Sequence, residues 1–104
     1  MQSTDFEVII KPIVFLDTDE AVVYYEKQLK GLGKRFFKHF LLTLESIQTK
    51  PFTYSFVKDP VRRCRVEKFP YKVFYLVAEQ TIFIIGLSHA KRSNAFVKRR
   101  LKLI

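Results

Sequence analysis

The segment from Val61 to Arg92 contains three strand-like runs separated by short turns, and it constrains the fold more than any other part of the chain. Residues 61–68 alternate between apolar and charged side chains, as in a strand with one buried face. Lys72–Ala78 and Thr81–Ser88 are apolar on both faces, so they are expected at the centre of a sheet. Connections this short join antiparallel neighbours, and the segment therefore predicts a three-stranded antiparallel meander.

The first half of the chain predicts one strand followed by two helices. Phe6–Ile10 is a short β-prone run that is expected to extend toward Phe15. Asp17 and Glu20 have the spacing of a capping box, which predicts a helix start at that point. Glycines at 31 and 33 end the first helix, and Pro51 ends the second. The predicted apolar faces consist of Ala21, Val22, Tyr25, Leu29 and Leu32 in the first helix, and of Phe36, Phe37, Phe40, Leu41, Leu44 and Ile47 in the second.

These elements predict a single domain over residues 1–104, a length that allows one hydrophobic core. The proline-bounded connector 51–60 is expected to dock Tyr54, Phe56 and Val57 on that core, and residues 93–104 are expected to form a short helix with Val97, Leu101 and Ile104 on its apolar side. We therefore predict an α+β fold. Its order is an N-terminal strand, an αα-hairpin and a three-stranded antiparallel meander (β-α-α-β-β-β), then a short C-terminal helix, with the helices packed on one face of the sheet.

The net charge of +9 is distributed unevenly along the chain. Residues 1–30 carry three Lys/Arg against six Asp/Glu, whereas residues 31–104 carry sixteen against four. A surface polarised in this way favours a polyanion such as nucleic acid or an acidic protein segment, although a merely soluble basic surface is the alternative. No apolar run approaches the ~20 residues of a membrane-spanning helix, so no membrane partner is predicted.

The cysteine content and the N-terminus indicate the cellular compartment. The single cysteine, Cys64, excludes an internal disulfide and fits a reducing environment. The first residues lack the basic and apolar regions of a signal peptide, so a cytoplasmic location is expected. Cys64 lies among the inward positions of its strand, and we interpret it as a core residue.

Basic and aromatic residues of the predicted sheet form the candidate binding site. The sequence contains no glycine-rich phosphate loop and no Cys/His metal cluster, and its basic half has no paired carboxylates at helical spacing, so neither a cofactor nor a metal is predicted. Arginine and lysine contact phosphates, and the interleaved Tyr71 and Tyr75 suit base stacking. The predicted residues for binding a polyanion or protein partner are Arg62, Arg63, Arg65, Lys68, Tyr71, Lys72, Lys91 and Arg92.

Part of this set could also cleave RNA without a metal. A histidine transfers protons near neutral pH, and cationic side chains stabilise the charged phosphorane. The catalytic residues of this hypothesis are His89, Arg65, Lys72 and Arg92. A capping or hydrogen-bonding role at the end of the sheet is the alternative for His89. His39 is interpreted as a boundary histidine bonded locally or to water.

The run RCRVEKFPYKVFY from Arg63 to Tyr75, a short loop, an apolar strand and then HAKR at residues 89–92 resemble the RelE/ParE superfamily. Its members are toxins of bacterial type II toxin–antitoxin (plasmid stabilisation) pairs. The upstream strand, the Tyr24–Tyr25 pair and the Leu32–Phe36 start of the second helix agree with this resemblance. It therefore covers nearly the whole chain and implies a cognate antitoxin as partner.

The superfamily divides by target. RelE-like toxins cut messenger RNA in the ribosome with scattered basic residues and a tyrosine or histidine near the C-terminus, whereas ParE-like toxins poison DNA gyrase. Lys72, Ala90 and Phe96 stand where RelE-like toxins often have arginine, arginine and tyrosine. Residues 69–75 and 89–92 are more similar to the ParE-like pattern. The resemblance thus implies a gyrase poison. A ribosome-dependent mRNA endoribonuclease is the first alternative, and a non-toxic nucleic-acid-binding domain is the second.

Overall fold

The computed structural model describes residues 5–92 and 94–102, which form five strands and three helices. Their order confirms the predicted α+β class. The position of Ile104 on the C-terminal helix lies outside the described residues. The elements are β1 (Glu7–Ile10), α1 (Ile13–Gln28), α2 (Leu32–Thr49), β2 (Phe56–Lys58), β3 (Val61–Arg65), β4 (Tyr71–Ala78), β5 (Thr81–His89) and α3 (Asn94–Leu101).

The strands form one mixed sheet in the order β1-β5-β4-β3-β2. The predicted meander of β3, β4 and β5 is present and antiparallel. β1 pairs in parallel with β5, because the helical hairpin carries the chain back across the sheet before the meander begins. The connector 51–60 supplies an edge strand, β2, that the sequence analysis did not predict. β3 ends at Arg65 rather than at Lys68, which adopts a left-handed turn conformation with φ 73°.

Both faces of the sheet are covered, so the prediction that all helices pack on one face is wrong for α3. The larger core lies between the sheet and the α1–α2 hairpin and contains Phe36, Phe40 and Tyr75. The smaller core lies on the opposite face, where Phe96 and Val97 of α3 pack with apolar residues of the strands. β4 and β5 contribute to both cores, which explains why their sequences are apolar on both sides.

The N-cap of helix α1 lies five residues before the predicted one, Asp17. Pro12 occupies the N-cap with φ −54°, and Ile13 is the first helical residue. Proline favours this location because its fixed φ suits the first turn and its missing N–H is not needed there. The predicted extension of β1 toward Phe15 is therefore wrong, since Phe15 is helical and exposed. Asp17 lies inside the helix and its carboxylate bonds to β5 and α3 instead of capping α1.

The hairpin between α1 and α2 depends on two glycines and one carboxylate. Gly31 adopts the left-handed conformation with φ 89°, and a Cβ on Gly33 would lie 2.6 Å from the carbonyl oxygen of Val22. The Glu26 carboxylate accepts hydrogen bonds from both glycine N–H groups, at 2.9 and 3.0 Å. These bonds satisfy donors at the start of α2. Three residues assigned to the apolar faces are instead exposed, namely Leu29, Phe37 and Leu41.

A β-bulge interrupts the pairing of β4 with β5 and joins the sheet to both α1 and α3. Phe74 pairs with Gly86, whereas Tyr75 pairs with Ile84, so Ile85 is the extra residue. Asp17 accepts the N–H of Leu87 at 3.1 Å, and Arg100 donates to the carbonyl of Ile85 at 3.1 Å. Asp17 and Arg100 also form a two-pronged ion pair, with N–O distances of 2.6 and 2.7 Å. The bulge is thereby bonded to a helix on each side of the sheet.

Candidate functional site

Three of the predicted binding residues line one open cavity of about 460 Å³. Arg65 and Lys72 are direct cross-strand partners on β3 and β4, and Arg63 is two residues from Arg65 on the same side of β3. Residues 53–55 of the connector form the other wall. Three cationic side chains at one concave surface have the chemistry that binds phosphate groups and carboxylates.

Arg62 points to the other side of β3 and is already engaged. Its guanidinium donates to the carbonyl of Tyr54 at 2.7 Å and to that of Phe52 at 3.3 Å. It also lies over the rings of Phe56 and Phe52, 3.9 and 5.6 Å from their centroids. Arg62 therefore fixes the connector against β3, and its position separates it from Arg63 and Arg65.

The other two lysines of the predicted set lie in turns. Lys68 is exposed in the β3–β4 turn, and its left-handed φ helps the chain to reverse there. Lys91 is exposed just after β5. Neither lysine lines the cavity of Arg63, Arg65 and Lys72.

Tyr71, His89 and Arg92 form a second group around a cavity of about 200 Å³. Tyr71 and His89 pair across β4 and β5, and their ring centroids are 5.5 Å apart with edge-to-face geometry. Glu20 and Asp17 of α1 line the same cavity, so acidic and basic groups face each other. Burial raises the pKa of the Tyr71 phenol, and the nearby Tyr24 and Glu20 raise it further, while Arg92 opposes them.

His89 is held by the backbone that follows it. Its Nδ1 accepts the N–H of Lys91 at 3.2 Å, so the proton of a neutral ring lies on Nε2. The ring is exposed and its carbonyl accepts the N–H of Arg92. This geometry corresponds to the hydrogen-bonding role that the sequence analysis left open for His89.

The four residues of the ribonuclease hypothesis are divided between the two faces of the sheet. Lys72 and Arg65 share the face of α3, because Lys72 alternates with Val73 of the hairpin-side core. Tyr71 packs against the hairpin-side core, and its partner His89 lies with it. The structure therefore brings together Arg65 with Lys72, and His89 with Arg92, but not all four. Tyr75 is fully buried and its hydroxyl donates to the carbonyl of Pro51 at 2.7 Å, so its predicted base-stacking role is wrong.

Cys64 and His39 line a third cavity, of about 270 Å³, together with Tyr54. Cys64 is buried, in agreement with its interpretation as a core residue, and burial raises the pKa of its thiol. The Nδ1 of His39 is buried and has no hydrogen-bond partner within residues 5–92 and 94–102. The ring lies 5.7 Å from that of Phe69. A high thiol pKa is unfavourable for a nucleophile, because the thiolate is the reactive form.

Two classes of feature are absent from the described part of the chain. No cluster of three or more His, Cys, Asp or Glu residues there could hold a metal ion. Among the three helices described, none is both long and apolar enough to cross a bilayer.

The fold is similar to those of several solved structures. One chain of the chromosomal ParDE TA system from P. aeruginosa matches 83% of this chain and 97% of its own length, with a TM-score of 0.73 and 12% identity. A chain of the archaeal RelE–RelB complex from Pyrococcus horikoshii OT3 matches 86% of this chain and 99% of its own, with a TM-score of 0.54 and 18% identity. A mutant of the E. coli toxin RelE in the free state matches 95% and 98%, with a TM-score of 0.53 and 12% identity.

This chain has the RelE/ParE fold. No protein-family model matches its sequence, and no curated protein matches it either. The fold is thus shared with these structures at sequence identities of 12–18%.

Within this RelE/ParE fold, sequence reasoning missed two features, one on the surface and one largely buried. The first is the aromatic pair Phe52 and Phe56, which are 61% and 45% exposed, so the prediction that Phe56 docks on the core is wrong. Val57 and Tyr54 do pack on the cores, one on each face. The sequence contained a signal for the exposure of Phe56. Adjacent residues of a strand point to opposite faces of the sheet, so Phe56 and Val57 cannot both pack on the same core. The second is the Asp17–Arg100 pair, whose 83-residue separation gives no local signal.

Proposed function

We propose that this protein is the toxin of a type II toxin–antitoxin pair, that it arrests growth by poisoning DNA gyrase, and that a cognate antitoxin neutralises it. The RelE/ParE fold supports the general toxin role. One solved structure with this fold contains a RelE toxin bound to an antitoxin RelBc peptide, which supports an antitoxin as the natural partner. The cationic cavity of Arg63, Arg65 and Lys72 suits an acidic segment of that antitoxin.

Gyrase is favoured over RNA as the target because the four residues of the ribonuclease hypothesis do not lie together. His89 has its Nδ1 occupied and lies across the sheet from Arg65 and Lys72. General acid–base catalysis requires the proton-transferring group within hydrogen-bond reach of the same substrate that the cations hold. Phe96, at the position where some RelE-like toxins have a tyrosine, is 3% exposed and lacks a hydroxyl. A toxin that acts by binding, without hydrolytic chemistry of its own, fits this arrangement better.

The test is a supercoiling assay with purified DNA gyrase and relaxed plasmid. Wild-type protein is expected to reduce supercoiling in proportion to its concentration, and His89→Ala is expected to be as inhibitory as wild type. The variant Arg65→Gln/Lys72→Gln is expected to weaken inhibition because it removes two charges from one surface. Lys27→Gln, an exposed cation on α1 that lies outside both that cavity and the predicted binding set, is the matched control. Unchanged supercoiling at saturating protein would eliminate the gyrase proposal.

A ribosome-dependent mRNA endoribonuclease remains the second candidate, because the three cations of the cavity could hold a scissile phosphate. Programmed ribosomes incubated with the protein would then yield new 5′ ends in the A site, detected by primer extension. His89→Ala should reduce that cleavage if His89 transfers a proton. The two candidates thus make opposite predictions for one substitution: His89→Ala leaves gyrase inhibition intact but lowers RNA cleavage.

A further inference from the structure

Two exposed phenylalanines and an arginine form a cluster at the edge of the sheet. Phe52 is 61% exposed and Phe56 is 45% exposed, although both are large apolar side chains. The guanidinium of Arg62 lies over both rings and is fixed by two backbone carbonyls of the connector. We refer to Phe52, Phe56 and Arg62 as the aromatic platform.

The packing of the protein gives no reason for this exposure. Neither Phe52 nor Phe56 belongs to the residues that form or line the two cores. Phe52 contacts one aromatic neighbour, Phe6, with edge-to-face geometry at 5.8 Å, which leaves a ring face accessible. Exposed aromatics beside an arginine are characteristic of surfaces that bind another flat π system.

The surroundings of the aromatic platform are cationic. Lys50 precedes Phe52 by two residues, and Lys58 follows Phe56 by two residues at the end of β2. The connector residues 53–55, which lie between the two phenylalanines, also form a wall of the cavity of Arg63, Arg65 and Lys72. The acidic groups near this edge are Asp59 at the β2–β3 turn, Glu45, which lines a cavity with Lys50 and Tyr54, and Asp5, which precedes Phe6. These three face six cations, namely Lys50, Lys58, Arg62, Arg63, Arg65 and Lys72. Cations therefore outnumber acidic groups along this edge, and a negatively charged ligand is favoured.

The edge of the sheet at β2 is short, so an extended ligand can contact both faces of the sheet there. β2 is the outermost strand of the sheet and has only three residues. Arg62 and Arg63 are consecutive on β3 and point to opposite sides, so the aromatic platform lies on one side of this short edge and the cationic cavity on the other. A flexible chain with flat groups and regularly spaced negative charges would contact both.

We propose that the aromatic platform of Phe52, Phe56 and Arg62 stacks unpaired nucleobases of a single-stranded nucleic acid, whose phosphates bind Arg63, Arg65 and Lys72. Single strands expose base faces that aromatic side chains and arginine can cover, whereas a duplex keeps those faces stacked internally. The platform takes the stacking role that the buried Tyr75 cannot perform. This binding requires neither gyrase nor the ribosome, and it can fail or succeed independently of both.

The experiment is fluorescence anisotropy with a labelled 20-nucleotide oligo(U) and with a duplex of equal length. Phe52→Leu and Phe56→Leu are each expected to weaken oligo(U) binding about 5- to 100-fold while leaving the salt dependence unchanged, because leucine keeps the apolar bulk but cannot stack on a base. Arg65→Gln and Lys72→Gln should each reduce the slope of log K against log salt by about 0.7, because each removes one phosphate contact. Phe15→Leu, another exposed phenylalanine on α1, is the matched control.

Three results would overturn the proposal: no binding of oligo(U) at low salt, wild-type affinity in the Phe52→Leu/Phe56→Leu double variant, or an equal loss in Phe15→Leu. Duplex binding that falls as much as oligo(U) binding would also contradict it. Circular dichroism melts of each variant establish that the fold is intact. Arg62→Lys probes the contribution of the planar guanidinium to oligo(U) binding, because lysine keeps the charge but lacks the planar group that lies over both rings.

Discussion

Replacing Arg100 by methionine removes the cation that joins α3 to α1 and to the β5 bulge. Methionine keeps most of the side-chain length and its apolar contact with the Phe96 ring, which lies 4.5 Å from the guanidinium carbon. The change deletes both hydrogen bonds to Asp17 and the bond to the Ile85 carbonyl. It leaves the Asp17 carboxylate with the Leu87 N–H as its remaining donor among the described residues.

The magnitude follows from the burial of the pair. The side chains of Arg100 and Asp17 are 12% and 11% exposed. Breaking a buried ion pair by removing one partner costs about 3–5 kcal/mol, and partial solvent access reduces this figure. We therefore expect Arg100→Met to lower the free energy of unfolding by about 2–4 kcal/mol. A domain of this length has a total stability of roughly 5–15 kcal/mol, so the loss should be conspicuous.

The assay is urea denaturation followed by circular dichroism, arranged as a double-mutant cycle with Asp17→Asn. Asparagine keeps an acceptor for the Leu87 N–H but removes the charge, and we expect a coupling energy of about 1.5–3 kcal/mol. Arg99→Met on the exposed side of α3 is the matched control and should change stability by less than about 0.5 kcal/mol. A loss below about 0.5 kcal/mol for Arg100→Met, or zero coupling, would refute the structural role of the pair.

Two further substitutions test the bulge and the larger core. Gly86→Ala should destabilise the fold by about 1–3 kcal/mol, measured by the same urea titration, because the new Cβ would lie 2.9 Å from the buried Phe96 ring; an unchanged midpoint would contradict the close approach. Tyr75→Phe should cost about 1 kcal/mol at neutral pH, because the Pro51 carbonyl loses its donor. Burial raises the pKa of Tyr75, so its neutral form is favoured in the folded state and its contribution to stability is complete below the unfolded pKa of about 10. Above that pH the contribution declines by up to about 1.4 kcal/mol per pH unit, so the difference between wild type and Tyr75→Phe should shrink in denaturation at pH 11; a difference that grows instead would reject this assignment.

The local patterns that depend on a regular period were sufficient to predict the elements. Alternation over residues 61–65 and doubly apolar runs in β4 and β5 determined the meander, and helical spacing determined the α1–α2 hairpin. Gly31 could be assigned to the turn between the helices because few other residues adopt its φ of 89°. Each of these signals lies within a few residues of the structure that it specifies.

The start of helix α1 and the edge strand β2 could not be predicted from local patterns alone. Asp17 and Glu20 have capping-box spacing, yet α1 starts earlier, with Pro12 as its N-cap. The Asp17 carboxylate accepts hydrogen bonds from Arg100 and Leu87 instead of capping the helix. β2 was not predicted because three residues give too short a pattern to distinguish a strand from a loop. Its pairing with β3 comes from the tertiary arrangement.

The sequence by itself determined the α+β class, the meander, the helical hairpin and a basic surface, because periodicity and charge are local properties of the chain. Only the tertiary structure decided which charges share a surface. It placed Arg65 and Lys72 across the sheet from His89, engaged Arg62 with the connector, and left Phe52 and Phe56 exposed at the edge. The physical reason is that a strand sends successive side chains to opposite faces, and the pairing of strands distant in sequence determines what each face brings together.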